Sequence, residues 1–167
     1  VSADSRYKLY VNEEQLGFGP VSSSIGHWSF DSYDIARFLG TGKNIIAVEV
    51  WNYGKYKPVS FISKDTRFLC QGNGKEERVL NTPGTWKVIR DQSRSAVPLP
   101  RKDIGQYIVV PPGERMDCRD YPWGWTSAGY DDTAWKHPVS LGRAKPRGSD
   151  GLIDHALVPR HIPARAY

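Results

Sequence analysis

SADSRYKLYVN at residues 2–12, followed by GFGP at residues 17–20 and NIIAVEVWNYG at residues 44–54, decides the reading of this chain. In the first stretch Tyr7, Leu9 and Val11 alternate with Arg6, Lys8 and Tyr10, which puts three apolar groups on one face of a half-buried strand. Residues 45–51 are apolar at nearly every position apart from Glu49, the pattern of a strand covered on both sides or central in a sandwich, and are expected in the middle of the core. Further β segments are expected at residues 59–62, 66–71, 85–89, 106–110 and 115–119, each bounded by Gly, Pro, Asn or Asp clusters. Strands at such spacing predict an all-β sandwich or barrel. Two stretches invite short helical turns: residues 34–39, which begin at Asp34 and stop before Gly40, and residues 131–135, with the same acidic start.

The chain has 167 residues, enough for one domain with a proper core, and no internal repeat or low-complexity tract. Aromatic residues make up 12%, with six Trp and nine Tyr, a heavy share for a domain that is 39% hydrophobic overall. No run approaches the roughly 18 apolar residues of a membrane span, and Val1 leads straight into strand-like sequence, so the chain is expected to be cut from something larger. The net charge of +5 permits an anionic partner without demanding one. Much of the excess sits at Arg143, Lys145, Arg147, Arg160 and Arg165, among Pro and Gly, and reads as a solvated basic tail. Cys70 and Cys118 are too few for a disulfide framework and too far apart for a metal knuckle; they read as two buried thiols or one bridge, and do not reveal the compartment.

Seven pieces in order, SADSRYKLYVN, GFGP, HWSFDSYDIARFL, GKNIIAVEVWNYG, FLCQG, NTPGTWKV and WGWTSAGYDDTAWK, carry a resemblance over residues 1–136. Together they resemble the N-terminal β-sandwich domain of bacterial α-L-rhamnosidases of the glycoside hydrolase family 78 type. The resemblance implies a galactose-binding-like jelly roll with one or two short helical turns, accompanying a separate catalytic domain of helical-toroid type. It also implies a bacterial parent enzyme, periplasmic or secreted. On this reading residues 1–137 form the accessory sandwich, and residues 138–167 form an irregular segment or linker, with one added strand at residues 152–158, leading toward the catalytic domain. Glu13 departs from the pattern, standing where the family usually has the Gly of an Asn-Gly hairpin, which leaves the turn type open.

Sugar recognition needs a flat aromatic face and a few directional hydrogen-bonding groups. Trp51, Asn52 and Tyr53 offer both just past a strand end, although Trp51 can equally pack on the core. Trp28, beside His27 in a turn-rich region, and the pair Trp123 and Trp125 around Gly124 are further carbohydrate candidates, each with a structural alternative. Trp86 and Trp135 sit among apolar neighbours and are assigned to the core. Asp131 and Asp132 fit helix capping better than a calcium site. His27, His137, His155 and His161 share no zinc-ligand spacing, and no metal, cofactor or catalytic residue is expected.

A catalytic acid and base are not assigned, because a helical-toroid domain needs long amphipathic helices that this sequence lacks. The expected function is therefore a non-catalytic accessory domain that binds carbohydrate or shapes the substrate entrance. Its alternative is a structural module packed on the catalytic domain. Nucleic-acid binding through Lys55, Tyr56, Lys57 and the tail is disfavoured, since the charges are scattered rather than set on one stripe.

Overall fold

The computed structural model describes residues 1–22, 24, 26–105, 109–146 and 156–163. The chain is all-β, its only helical elements among those residues being three 3-10 turns and one four-residue α turn at Arg101–Ile104. The strands are β1 (Ser2–Ala3), β2 (Arg6–Val11), β3 (Glu14–Gly19), β4 (Trp28–Phe30), β5 (Ile46–Trp51), β6 (Phe68–Leu69), β7 (Arg94–Val97), β8 (Gly113–Met116), β9 (Lys145–Pro146) and β10 (Ala156–Pro159). They form an antiparallel sheet ordered β3-β2-β5, a parallel sheet ordered β4-β10-β9, and the two-stranded pairs β1-β6 and β7-β8.

β2 lies in the middle of the first sheet, with Tyr7, Leu9 and Val11 buried and Arg6, Lys8 and Tyr10 half-buried between them. The expectation for residues 45–51 is corrected: among the described residues β5 pairs only with β2, and only Ala47 of it is fully buried. An apolar run reports cover on the two faces of a strand, not its place in the hydrogen-bond order. The β2-β3 hairpin turns through Asn12 and Glu13, whose φ values of 49° and 72° are the positive pair that a type I′ turn requires. Asn12 fastens this turn: its Oδ1 accepts from the Ile45 N–H at 2.9 Å, and its Nδ2 donates to Phe38 O and Asn44 Oδ1, both at 2.8 Å.

The inner face of the sheet carries the core. Ala3, Tyr7 and Leu9 are buried, and Ile46, Val48, Val50, Tyr33 and Phe68 pack against them. Burial of a side chain such as Leu9 contributes about 1.5–3 kcal/mol. Two glycines of β3 make room for larger neighbours across the sheet. A Cβ at Gly17 would stand 2.2 Å from Tyr33 Oη, and one at Gly19 would stand 2.2 Å from Asp31 Oδ2.

Asp31 is the hub of this region. Its carboxylate accepts from the Tyr7 hydroxyl and from Arg160 Nε, while Tyr7 and Tyr33 share a 3.0 Å hydroxyl contact. Arg160 also donates from Nη2 to Phe18 O at 3.1 Å and from its backbone N–H to Phe30 O at 2.9 Å. The basic residues near the end are therefore not uniformly a solvated tail: Arg143 is exposed, but Arg160 is half-buried against an acid, and β10 aligns Leu157 with Trp28.

Other expectations are corrected by local structure. Residues 59–62 hold a turn rather than a strand, and residues 85–89 contribute a single bridge between Val88 and Lys136. The segments expected at 66–71 and 115–119 shorten or shift to β6 and β8. Most of residues 106–110 and of residues 152–158, with Arg147, His155 and Arg165, lies outside the described residues. Trp86 and Trp135 are half-buried rather than enclosed, each edge-on to a neighbouring ring, Phe68 and Tyr130 respectively. Cys70 and Cys118 are both free; Cys70 is buried, which pushes its thiol pKa up, and Cys118 is exposed.

Candidate functional site

The other face of the same sheet gathers the rings. Strand alternation places Arg6, Lys8 and Tyr10 there, opposite Trp51, Glu49 and Ala47 of β5, and aligns Phe18 of β3 with Lys8. Phe18 and Trp51 meet with ring centroids 5.5 Å apart, and Lys8 Nζ stands 5.6 Å from the Trp51 ring while holding Glu49 Oε2 at 3.4 Å. Arg6 Cζ lies 5.1 Å from the centre of the Phe61 ring, and Phe61 meets Tyr53 edge-on at 5.4 Å. Trp51 Nε1 points to Tyr53 Oη at 3.5 Å. Trp51 and Tyr53 thus belong to one half-buried cluster with Phe18 and Phe61, bordered by cations.

Asn52 has a different task from the one its sequence suggests. Its Nδ2 donates to Asp4 Oδ2 at 2.9 Å, Ser63 Oγ at 2.6 Å and Asp65 O at 3.1 Å, and its Oδ1 accepts from the Gly54 N–H at 2.7 Å. Asp4, 5% exposed, also accepts from Ser63 Oγ at 2.5 Å and from the Lys64 N–H at 3.0 Å. These bonds tie the loop after β5 to the start of the chain and so fix Trp51, Tyr53 and Phe61 in place.

A second aromatic group leans on the same face. Trp125 meets Tyr10 edge-on at 5.5 Å and donates from Nε1 to Tyr121 Oη at 2.9 Å. Trp123, 65% exposed, donates from Nε1 to Cys118 O at 2.9 Å and stands 4.8 Å from Tyr121. Arg94 links this group to the sheet: its guanidinium lies 5.7 Å from the Tyr121 ring and reaches Glu49 at 3.6 Å, Asp91 at 3.2 Å and Glu114. Burial and the Glu49 charge raise the Tyr10 phenol pKa. Trp28 stands apart from both groups; it is 4% exposed in β4, beside β10, and presents no open ring face.

Sequence reasoning missed Arg6, Tyr10, Phe18, Phe61 and Tyr121 as members of this face. The alternation of β2 already separated Arg6 and Tyr10 from the core, but nothing in it shows that aromatic loops converge on the outer side. Asp131 caps its turn, accepting from the Thr133 N–H at 3.0 Å, and Asp132 pairs with Lys87 at 2.8 Å. Those contacts hold both carboxyls below their ordinary pKa. Among the described residues no group of three or more His, Cys, Asp or Glu side chains is placed to hold a metal ion, and no helix is long and apolar enough to cross a membrane.

A cleft of about 2470 Å³ is lined on the inner side by Val48, Val50 and Phe68, and further by Trp86, Val88 and Leu141 among others. That is larger than the roughly 300–1,000 Å³ of a small-molecule pocket, and its lining also takes in Glu49, Trp51, Tyr53, Arg94, Tyr121 and Trp125.

No family model matches the sequence, and no curated protein does. Among solved structures the chain is similar to a GH78 family rhamnosidase of Bacillus sp. GL1, with a TM-score of 0.52 and 28% identity. The similarity covers 98% of this chain and 16% of that chain. It therefore suggests one domain of an enzyme of that family, in keeping with the all-β fold.

Proposed function

We propose that this chain is a non-catalytic accessory domain of a larger rhamnosidase-type glycoside hydrolase, and that it binds carbohydrate on the outer face of the β3-β2-β5 sheet. The observation that carries the binding is the cluster of Phe18, Trp51, Tyr53 and Phe61 set beside Arg6 and Lys8. Rings offer apolar faces to a pyranose, and the flanking donors offer hydrogen bonds to its hydroxyls. The similarity to part of a GH78 family rhamnosidase supports the parentage.

Three acids of the sheet region are already engaged by other side chains. Glycoside cleavage needs two carboxyls flanking a substrate, one of them free to give a proton. Here Asp31 serves Tyr7 and Arg160, Asp4 serves Asn52 and Ser63, and Glu49 serves Lys8 and Arg94. The test is titration of rhamnose-containing oligosaccharides against Trp fluorescence, with Trp51→Ala as the control. A saturable response lost in that variant supports the proposal; silence across a broad glycan panel removes the binding, and turnover of an aryl rhamnoside by the chain alone removes the non-catalytic role.

A second reading is favoured by a different observation. The apolar inner cleft, together with exposed Val88, Val139 and Leu141, suits a module that packs against the rest of its parent.

A further inference from the structure

Around the β3-β2-β5 sheet some cations are paired with acids and others are not. Lys8, Arg67, Lys87, Arg94, Arg119 and Arg160 each pair with a carboxylate. Arg6, Lys55 and Lys57 are among those that do not, counting the described residues alone, and these three border the aromatic loop after β5. Lys55 Nζ lies 5.0 Å from the Tyr56 ring, and Lys57 Nζ donates to Ser63 O at 3.0 Å. The nearby acid Asp4 is buried and engaged by Asn52, Ser63 and the Lys64 N–H.

Arg6 is the most telling of the three, because it is half-buried. Its Nη1 donates to Ser5 O and Pro20 O, both at 3.1 Å, and its Nη2 to Ser22 Oγ at 2.8 Å. Three of the five guanidinium N–H groups are thus given to neutral oxygens. Nε–H and the second Nη2–H have no partner among the described residues. Nε and Nη2 form the edge with which Arg119 holds both oxygens of Asp117, at 2.9 and 2.5 Å. Arg6 thus keeps N–H groups on Nε and Nη2 without a carboxylate among the described residues, with its guanidinium 5.1 Å from the centre of the Phe61 ring. Burial holds the Arg6 pKa below its ordinary value, as expected of a cation taken partly out of water without a counter-charge.

We infer that the sugar bound on this face is acidic: a uronate whose carboxylate fills the Nε and Nη2 fork of Arg6, with Lys55 and Lys57 flanking it and its ring against the Trp51, Tyr53 and Phe61 cluster. This rests on the carbohydrate-binding reading above and narrows it to a substrate class. A planar, two-oxygen anion matches a guanidinium edge in a way that a neutral hydroxyl pair does not. Flanking rings add the selectivity for a sugar over a bare anion.

The test is calorimetric titration of the 167-residue chain with an oligogalacturonate and with the same oligosaccharide after carboxyl reduction. The acidic form is expected to bind about tenfold more tightly or better, as one bidentate charged contact requires. Arg6→Gln should bring it down to the level of the neutral form, while Arg6→Lys, which keeps the charge without the fork, should recover only part. Near-UV circular dichroism checks the fold of each variant; should Arg6→Gln fail to fold, Lys55→Gln with Lys57→Gln should still weaken the acidic ligand several-fold and leave the neutral one unchanged. Equal binding of the acidic and reduced forms overturns the inference and leaves the carbohydrate reading standing, whereas binding of neither overturns both. An equal response to polyglutamate overturns it in favour of an acidic-peptide or unspecific polyanion surface.

Discussion

The two faces of β2 differ more than the two ends of the molecule. On the inner side Tyr7 and Leu9 are buried, and the Tyr7 hydroxyl is locked to Asp31, which Arg160 holds from 129 residues away. On the outer side Arg6, Lys8 and Tyr10 are half-buried among rings that meet one another tilted or edge-on. Six consecutive residues thus divide by alternation into a face that holds the fold and a face that carries rings and cations. The contrast predicts that inner substitutions cost stability and outer ones cost binding.

The most damaging way to break the comparison is Asp31→Ala. It strands the buried Tyr7 hydroxyl and the Arg160 guanidinium together, so urea unfolding should show a loss of about 3–5 kcal/mol. Lys8→Gln, across the strand, should cost no more than about 1 kcal/mol, since its ion pair with Glu49 is partly exposed. Equal losses in the two variants would erase the distinction.

Alkaline pH attacks the inner face through Tyr7. Burial, with the hydrogen bond to Asp31 second, raises the Tyr7 phenol above its ordinary value of 10.0. Its folded pKa then exceeds the unfolded one, so the folded state binds more protons in that window. Stability is fully present below pH 10 and falls above it, by up to about 1.4 kcal/mol per pH unit. Tyr7→Phe should flatten that slope in pH-resolved thermal melts; an unchanged slope would show that another group carries it.

Asn52→Ala sharpens the comparison from the outer side. Loss of its bonds to Asp4, Ser63 and Asp65 O should cost about 1–2 kcal/mol and release the loop that carries Tyr53 and Phe61, so glycan affinity should fall further than stability. Binding that survives intact would place the site elsewhere. The smallest effect is expected at Glu13→Gly, where a φ of 72° favours glycine: a gain of about 0.5–1 kcal/mol in chemical denaturation, with binding unchanged. A loss there would mean that Glu13 makes a contribution beyond its backbone.

How far the sequence revealed this arrangement follows from the range of each interaction. The alternation of residues 6–11 is local and was legible, as were the all-β character and the Asp131 turn cap. β4 and β7 span three and four residues, too short for a period to show. The apolar residues Val59 and Ile62 suggested a strand, yet they are 68% and 43% exposed in a turn. Hydrophobicity alone does not distinguish a buried strand from a loop with apolar residues on its surface. The aromatic candidates past β5 were visible in sequence as residue types, but the assignment of Asn52 to holding the loop depends on Asp4 and Ser63, 48 and 11 residues away. The Asp31 hub and the unfilled fork of Arg6 exist only once distant segments meet.

The central claim is tested most directly by mapping amide and indole shifts of the whole chain during titration with a rhamnose-containing oligosaccharide that carries a uronate. The account predicts saturable shifts at Arg6, Lys8, Phe18, Trp51, Tyr53 and Phe61, with Tyr7, Asp31 and the Trp86 side of the inner cleft unmoved. Shifts confined to Phe68 and Trp86, or none at all, would contradict it.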